Sequence, residues 1–235
     1  MQRGFTVNRN MTPPRIALIH ATALAMTPIT EAFARHWPSA HCQHLLDDTL
    51  SRDRASAGEL TEAMVQRFVD LALYTQRAGA QGILFTCSAF GPAIERTAQA
   101  TGLPTLKPNE AMFEDALAMA QPGRVLRIGL LATFAASIEA MSQELMALAQ
   151  SRDIAIELAT GFVPEAMQDL AEGRADMHHQ KIAAAVPQLP PCDVVMLAQF
   201  SMAAAQPLAQ QHSTAPVLSS PDCAVLALMK RMHHV

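Results

Sequence analysis

The sequence predicts an α/β fold of two pseudo-symmetric Rossmann-like lobes, each a four-stranded parallel sheet flanked by helices, with the active site in the cleft between them. Three observations predict it. Short runs rich in Ile, Leu and Val alternate with longer amphipathic stretches, the pattern of βα units around parallel sheets buried on both faces. The chain also repeats itself: RIALIHAT from Arg15 and RIGLLATF from Arg127 lie 112 residues apart, the GILFTCSAF and DVVMLAQFS segments share that shift, and LPTL and APVL keep it through Pro104 and Pro216. Finally, 235 residues that are 50% hydrophobic and 16% charged suffice for a full core in one large domain or two small ones, and the repeat favours two lobes.

The elements follow in order. Residues 1–14 read as a lead-in, the first ten of them disordered and Met11 a candidate natural start. Strands are expected near residues 15–20, 42–47, 82–87 and 103–107, giving a first lobe over 15–108 that residues 221–235 are candidates to complete. A second lobe over 109–220 takes strands near 127–132, 154–158, 193–198 and 215–219. Between Gly58 and Gly79, Leu60, Met64, Phe68 and Leu71 fall on one helical face, and Ile138, Met141, Leu145 and Leu148 do the same later, so both stripes face a core. The crossover from Asn109 to Gly123 has no Gly/Ser-rich linker, which points to lobes packed rigidly together.

Composition excludes several classes. A net charge of −4 and a pI near 6.1 leave no basic surface for nucleic acid. No segment approaches the roughly 18 uninterrupted apolar residues of a membrane span, and MQRGFTVNRNMTPPR has neither an apolar core nor a small-residue cleavage site, so a cytoplasmic location is expected. Cys42, Cys87, Cys192 and Cys223 are far apart, without C-x-x-C spacing or clustered histidines, and read as reduced thiols outside any metal site or disulfide framework. No glycine motif for dinucleotides or triphosphates is present, and Lys107 lacks the phosphate loop that a pyridoxal cofactor would use. The apolar helix faces of so hydrophobic a chain suit a homo-oligomer.

Parallel sheets bind ligands at the carboxyl ends of their strands, and a pseudo-two-fold would bring both sets of ends to one cleft. At the 112-residue shift, Cys87 faces Gln199 there: one half offers a thiol, the other an amide. Cys87 ends a strand just before a helix starting near Gly91 and Pro92, whose positive N-terminal end lowers a thiol pKa. A buried inert cysteine is the competing reading. His20 ends the first strand, either as a proton shuttle or as a hydrogen-bonded sheet-end histidine. Asp47 and Asp48 close the second strand, reaching the cleft or capping a helix. Lys107 ends the fourth, binding a carboxylate, tuning Cys87 or sitting in solvent. Cys42, Cys192 and Cys223 have no equivalent strand-end position and are read as structural.

These motifs, FTCSAFGPAIE, LLDDTL, LKPNEAMFE and AQFSM, resemble the aspartate/glutamate racemase superfamily, which also holds hydantoin racemases, maleate isomerases and arylmalonate decarboxylases. The resemblance covers the chain from about residue 14. It implies cofactor-independent proton transfer, with no metal, at a carbon next to a carboxylate or carbonyl of a small carboxylate or cyclic amide. In that scheme cysteines on opposite substrate faces exchange the proton while hydroxyls and backbone N–H groups hold the carboxylate. Cys87 matches the first cysteine and Gln199 the second, which an amide cannot replace as acid or base. Thr22, Thr86, Ser88, Thr133, Phe134, Phe200 and Ser201 fall at substrate-binding positions, alternatively ordinary turn and cap residues. Three repairs of the missing thiol are open: another ionisable group (His20, Asp47, Asp48, Lys107 or Glu110), Cys87 alone protonating a carbanion, or Cys87 adding to a double bond. A binding protein that has lost catalysis is the alternative from another class.

Overall fold

Residues 13–87 and 90–233 are described in the structure, a computed structural model. The apolar runs become strands and the amphipathic stretches helices. The first half runs β1 (Arg15–His20), a 3-10 turn (Ala23–Ala25), α1 (Met26–His36), β2 (His41–Leu46), α2 (Thr49–Ala57), α3 (Glu62–Arg77), β3 (Gly82–Phe85), α4 (Gly91–Thr101) and β4 (Thr105–Leu106), with α5 (Glu110–Leu117) after it. The second half runs β5 (Leu126–Ala132), α6 (Ala136–Ser151), β6 (Ile156–Phe162), α7 (Ala166–Ala171), α8 (Ala175–Ala185), β7 (Val194–Leu197), a 3-10 turn (Phe200–Ala205), α9 (Gln206–Gln211), β8 (Val217–Ser219) and α10 (Ser220–His233). Two four-stranded parallel sheets result, ordered β2-β1-β3-β4 and β6-β5-β7-β8. This is the fold class that the sequence predicts.

All eight expected strands are present, with shifts that have local causes. β3 ends at Phe85 because β1 runs out beside it; one further bond, Thr86 N–H to the Ile19 carbonyl, leaves Cys87 beyond the ladder. β4 shrinks to Thr105–Leu106, since Pro104 contributes only its carbonyl, which accepts from Ile83 N–H. The edge strand of the second sheet departs from the repeat. Ile16 pairs with Cys42 but Ile128 pairs with Leu158, so β6 is displaced four residues beyond the 112-residue shift after a left-handed turn at Asp153 (φ 55°).

Alternation along the strands sorts the core into four layers. Ala17, Ile19, Ile83 and Phe85 face Met64 and Phe68 of α3 and Ile94 of α4. On the opposite face, Ile16, Leu18, Leu84 and Leu106 meet Ile29 and Phe33 of α1 together with Ala224, Val225 and Leu228 of α10. In the second sheet, Ile128, Leu130 and Met196 pack against Phe113 and Leu117 of α5 and Met141 and Leu145 of α6. Leu131, Val195 and Leu197 pack against α7, α8 and α9. The helix after each sheet therefore covers the other half's sheet. Gly82 permits the close approach of α10, as a Cβ there would lie 2.7 Å from the Met232 sulfur. Where the two crossovers pass, buried Ser220 donates to the Pro108 carbonyl (2.5 Å) or the Asn109 Oδ1 (2.8 Å), and Ser220 and Pro108 are themselves repeat partners.

Candidate active site

The carboxyl end of β1 meets that of β7: the turn Ala23–Ala25 contacts the turn Phe200–Ala205. Cys87, half-buried, lies just past β3 against the layer holding Phe85 and Phe90. Ser88 falls outside the described residues. Thr86 and His20 are both buried and bonded, His20 Nδ1 to Thr86 Oγ1 at 2.8 Å. His20 Nε2 in turn lies 3.0 Å from His44 Nδ1, with the rings stacked at 5.1 Å and 12°. His44, on β2, is a residue that sequence reasoning missed. It stands two residues before the strand's end, and only the parallel pairing of β1 with β2 brings it to His20.

Burial, and then the charge of His44, pulls the His20 imidazole from the ordinary 6.5 down to about 4; burial also lowers His44. Between those two pH values the unfolded chain binds the extra proton. The contribution is thus full above pH 6.5 and is lost as pH falls toward 4, on the order of 2–3 kcal/mol. Urea unfolding at pH 7 and pH 4.5 is expected to show that drop in the native chain and a shallower one in His20→Gln.

The second half closes differently. Gln199 Oε1 accepts from the Thr133 backbone N–H (2.8 Å) and hydroxyl (3.1 Å), and its Nε2 donates to Ser137 Oγ (2.6 Å), which donates to the Phe134 carbonyl. The amide opposite Cys87 in the repeat thus holds the β5–α6 loop, and Phe134 stands half-exposed on that loop. Thr133 is buried at 4% exposure with both its donors committed to Gln199.

Other candidates are engaged elsewhere. Asp47 accepts from Thr49 and from the Arg67 guanidinium; burial would raise its carboxyl, but these hydrogen bonds and the Arg67 charge outweigh it and hold it low. Asp48, by contrast, precedes α2 without a side-chain cap bond. Lys107 pairs with Glu95 of α4 at 2.6 Å, and Glu110 pairs with Arg231 of α10 at 2.5 Å. Thr22 Oγ1 accepts from Leu24 N–H, capping the turn after β1. The Ser201 carbonyl lies 3.3 Å from buried His178 Nε2. Phe200 is only 7% exposed and enters the core layer of α1 and α10, joining the halves rather than lining an open wall. Phe200→Ala is expected to cost about 3–5 kcal/mol, read as a lowered urea midpoint. Burial pushes the Cys42 thiol up to about 11 and raises Cys192 and Cys223, which disfavours their thiolates. Among the described residues, no cluster of three or more His, Cys, Asp or Glu is placed to hold a metal ion, and no helix is long and apolar enough to cross a membrane.

The family model for Asp/Glu/Hydantoin racemase matches residues 16–162, well over half of the chain. The chain belongs to that racemase family. Solved structures agree in fold. A glutamate racemase from Bacillus anthracis is 13% identical with a TM-score of 0.67, over 95% of this chain and 83% of that one. An allantoin racemase from Klebsiella pneumoniae is 16% identical with a TM-score of 0.66, over 94% and 88%. Unliganded arylmalonate decarboxylase is 17% identical with a TM-score of 0.60, over 93% of each chain. No curated protein sequence matches. In this racemase-family chain, the two halves carry a thiol and a loop-bound amide at repeat-related strand ends.

Proposed function

We propose that this chain is a cofactor-independent racemase- or isomerase-type enzyme that moves a proton at the carbon next to a carboxylate or carbonyl of a small substrate, with Cys87 as acid, base or nucleophile. The observation that carries the reading is the hydrogen bonding of Gln199. Its oxygen accepts twice from Thr133 and its nitrogen donates to Ser137, so no acid or base faces Cys87 from its repeat partner. Proton exchange by Cys87 itself is therefore confined to one face, and racemisation takes its second proton from a group other than the repeat partner. A thiol can take and return a proton on one face, or add to a double bond and leave after rotation.

The same geometry favours a second reading, decarboxylation with Cys87 protonating one face of the resulting carbanion, the class of reaction named for the arylmalonate decarboxylase of similar fold. Proton NMR in D₂O with amino acids, hydantoins, maleate and arylmalonates distinguishes them. α-Deuterium exchange with retained configuration supports one-sided proton transfer, and a decarboxylated product supports the second reading. Tight binding without turnover of any member of the panel would leave a binding protein.

A further inference from the structure

We propose that Thr86, His20 and His44 form a proton path from the protein surface to the strand end beside Cys87, with Thr30 fixing the outer tautomer and His44 as a positioning residue acting through His20. The proposal deepens the proton-transfer reading above and rests on it. Hydrogen-bond logic orients the chain. The Met26 carbonyl can only accept, so the Thr30 hydroxyl 2.8 Å away donates to it. Thr30 Oγ1 then offers only lone pairs to His44 Nε2 at 3.4 Å, which places the His44 proton on Nε2. Bare His44 Nδ1 accepts from His20 Nε2–H at 3.0 Å, and bare His20 Nδ1 accepts from the Thr86 hydroxyl at 2.8 Å.

Every hydrogen thus points from Thr86 outward, and both rings are neutral. The path runs from fully buried His20 to half-buried His44 beside exposed Thr30, and the His44–Thr30 contact is the longest of the set. Thr86 reaches the rings from the position just after β3 and Thr30 from α1; among the described residues no carboxylate, lysine or arginine bonds either imidazole. Burial of both rings favours the neutral forms that such a relay needs.

The proton balance closes. To carry a proton outward, Thr86 gives its O–H proton to His20 Nδ1 as it receives one from the site, His20 Nε2–H passes to His44 Nδ1, and His44 Nε2–H passes to water. Each group loses one proton and gains one, so no ring is left charged. Return of a proton to the substrate runs the same steps backward and restores the starting tautomers. A reaction that removes and then returns a proton resets the path without turning a buried ring. Decarboxylation, which only consumes a proton, does not.

The test uses the full chain without substrate, labelled with ¹⁵N in the histidine rings. The resting tautomers are expected to be Nε2–H for both His20 and His44. The His20 ring proton is expected to exchange with water well ahead of the neighbouring β1 amides, and to slow by about tenfold in His44→Gln with those amides unchanged. Glutamine there can still accept from His20 and donate to Thr30, but it cannot pass a proton on. His44→Phe, which keeps a ring against His20, is the second variant should glutamine disturb the fold. An Nδ1–H tautomer at His20, or ring exchange no faster than the β1 amides or insensitive to His44→Gln, overturns the path. On a substrate with Cys87-dependent exchange, His44→Gln is expected to lower kcat by about 10²-fold with KM unchanged and to recover in imidazole buffer; an unchanged kcat overturns the proposal. Failure of the Cys87 chemistry leaves the ring-exchange result intact, so the two failures are distinguishable.

Discussion

Alanine at Cys87 is expected to lower turnover by about 10³-fold on any substrate whose exchange the native chain catalyses, within the range of a lost positioned acid, base or nucleophile. Nothing nearby replaces it by symmetry: the repeat partner is Gln199, whose amide does not titrate and is bonded to Thr133 and Ser137. The other three thiols are raised by burial and do not form thiolates readily. Cys87 lies in a connection beyond the β3 ladder and is only half-buried, so the fold survives its truncation. Cys87→Ser keeps the size and the hydrogen bonding but not the acidity, and is expected to be equally inactive. Full turnover in Cys87→Ala, followed by proton NMR in D₂O, would sink the proposed function.

Gln199→Cys is expected to change the stereochemical outcome rather than only the rate. It places a second thiol at the repeat position of the first. Deuterium uptake with retained configuration in the native chain then becomes uptake with loss of optical rotation in the variant. The substitution removes three hydrogen bonds that hold the Thr133–Ser137 loop, at a cost of about 2–3 kcal/mol. That corresponds to a Tm lower by roughly 5–10 °C, measurable by calorimetry, for a chain of this length. If the native chain already racemises its substrate, another group supplies the second proton and the one-sided account fails.

What was legible in the sequence follows from what is periodic in it. Buried central strands such as Ile16–Ile19 and Val194–Leu197 are continuous apolar runs, and the repeat places them in register without reference to contacts. Edge strands are half-exposed and carry less pattern, which is why β6 lies further along than expected. The site was legible as positions and not as partners. Cys87, Gln199, His20 and Thr133 are strand-end residues, and strand ends can be read from hydropathy. That Gln199 is spent on Thr133, or that His44 completes a chain with His20, depends on inter-strand pairing and side-chain direction, which no local window holds. Asp47 shows the same limit, because its partner Arg67 lies on a helix twenty residues away.

The exchange of α5 and α10 between the two sheets has a consequence for synthesis. A ribosome releases Ile16, Leu18, Leu84 and Leu106 early, yet the Ala224, Val225 and Leu228 that cover them come only after the whole second sheet. Until residues 220–233 emerge, the nascent first half carries an open greasy face, a natural client for a chaperone. A premature stop codon ahead of Ala224 would therefore strip this cover from the half that was translated first.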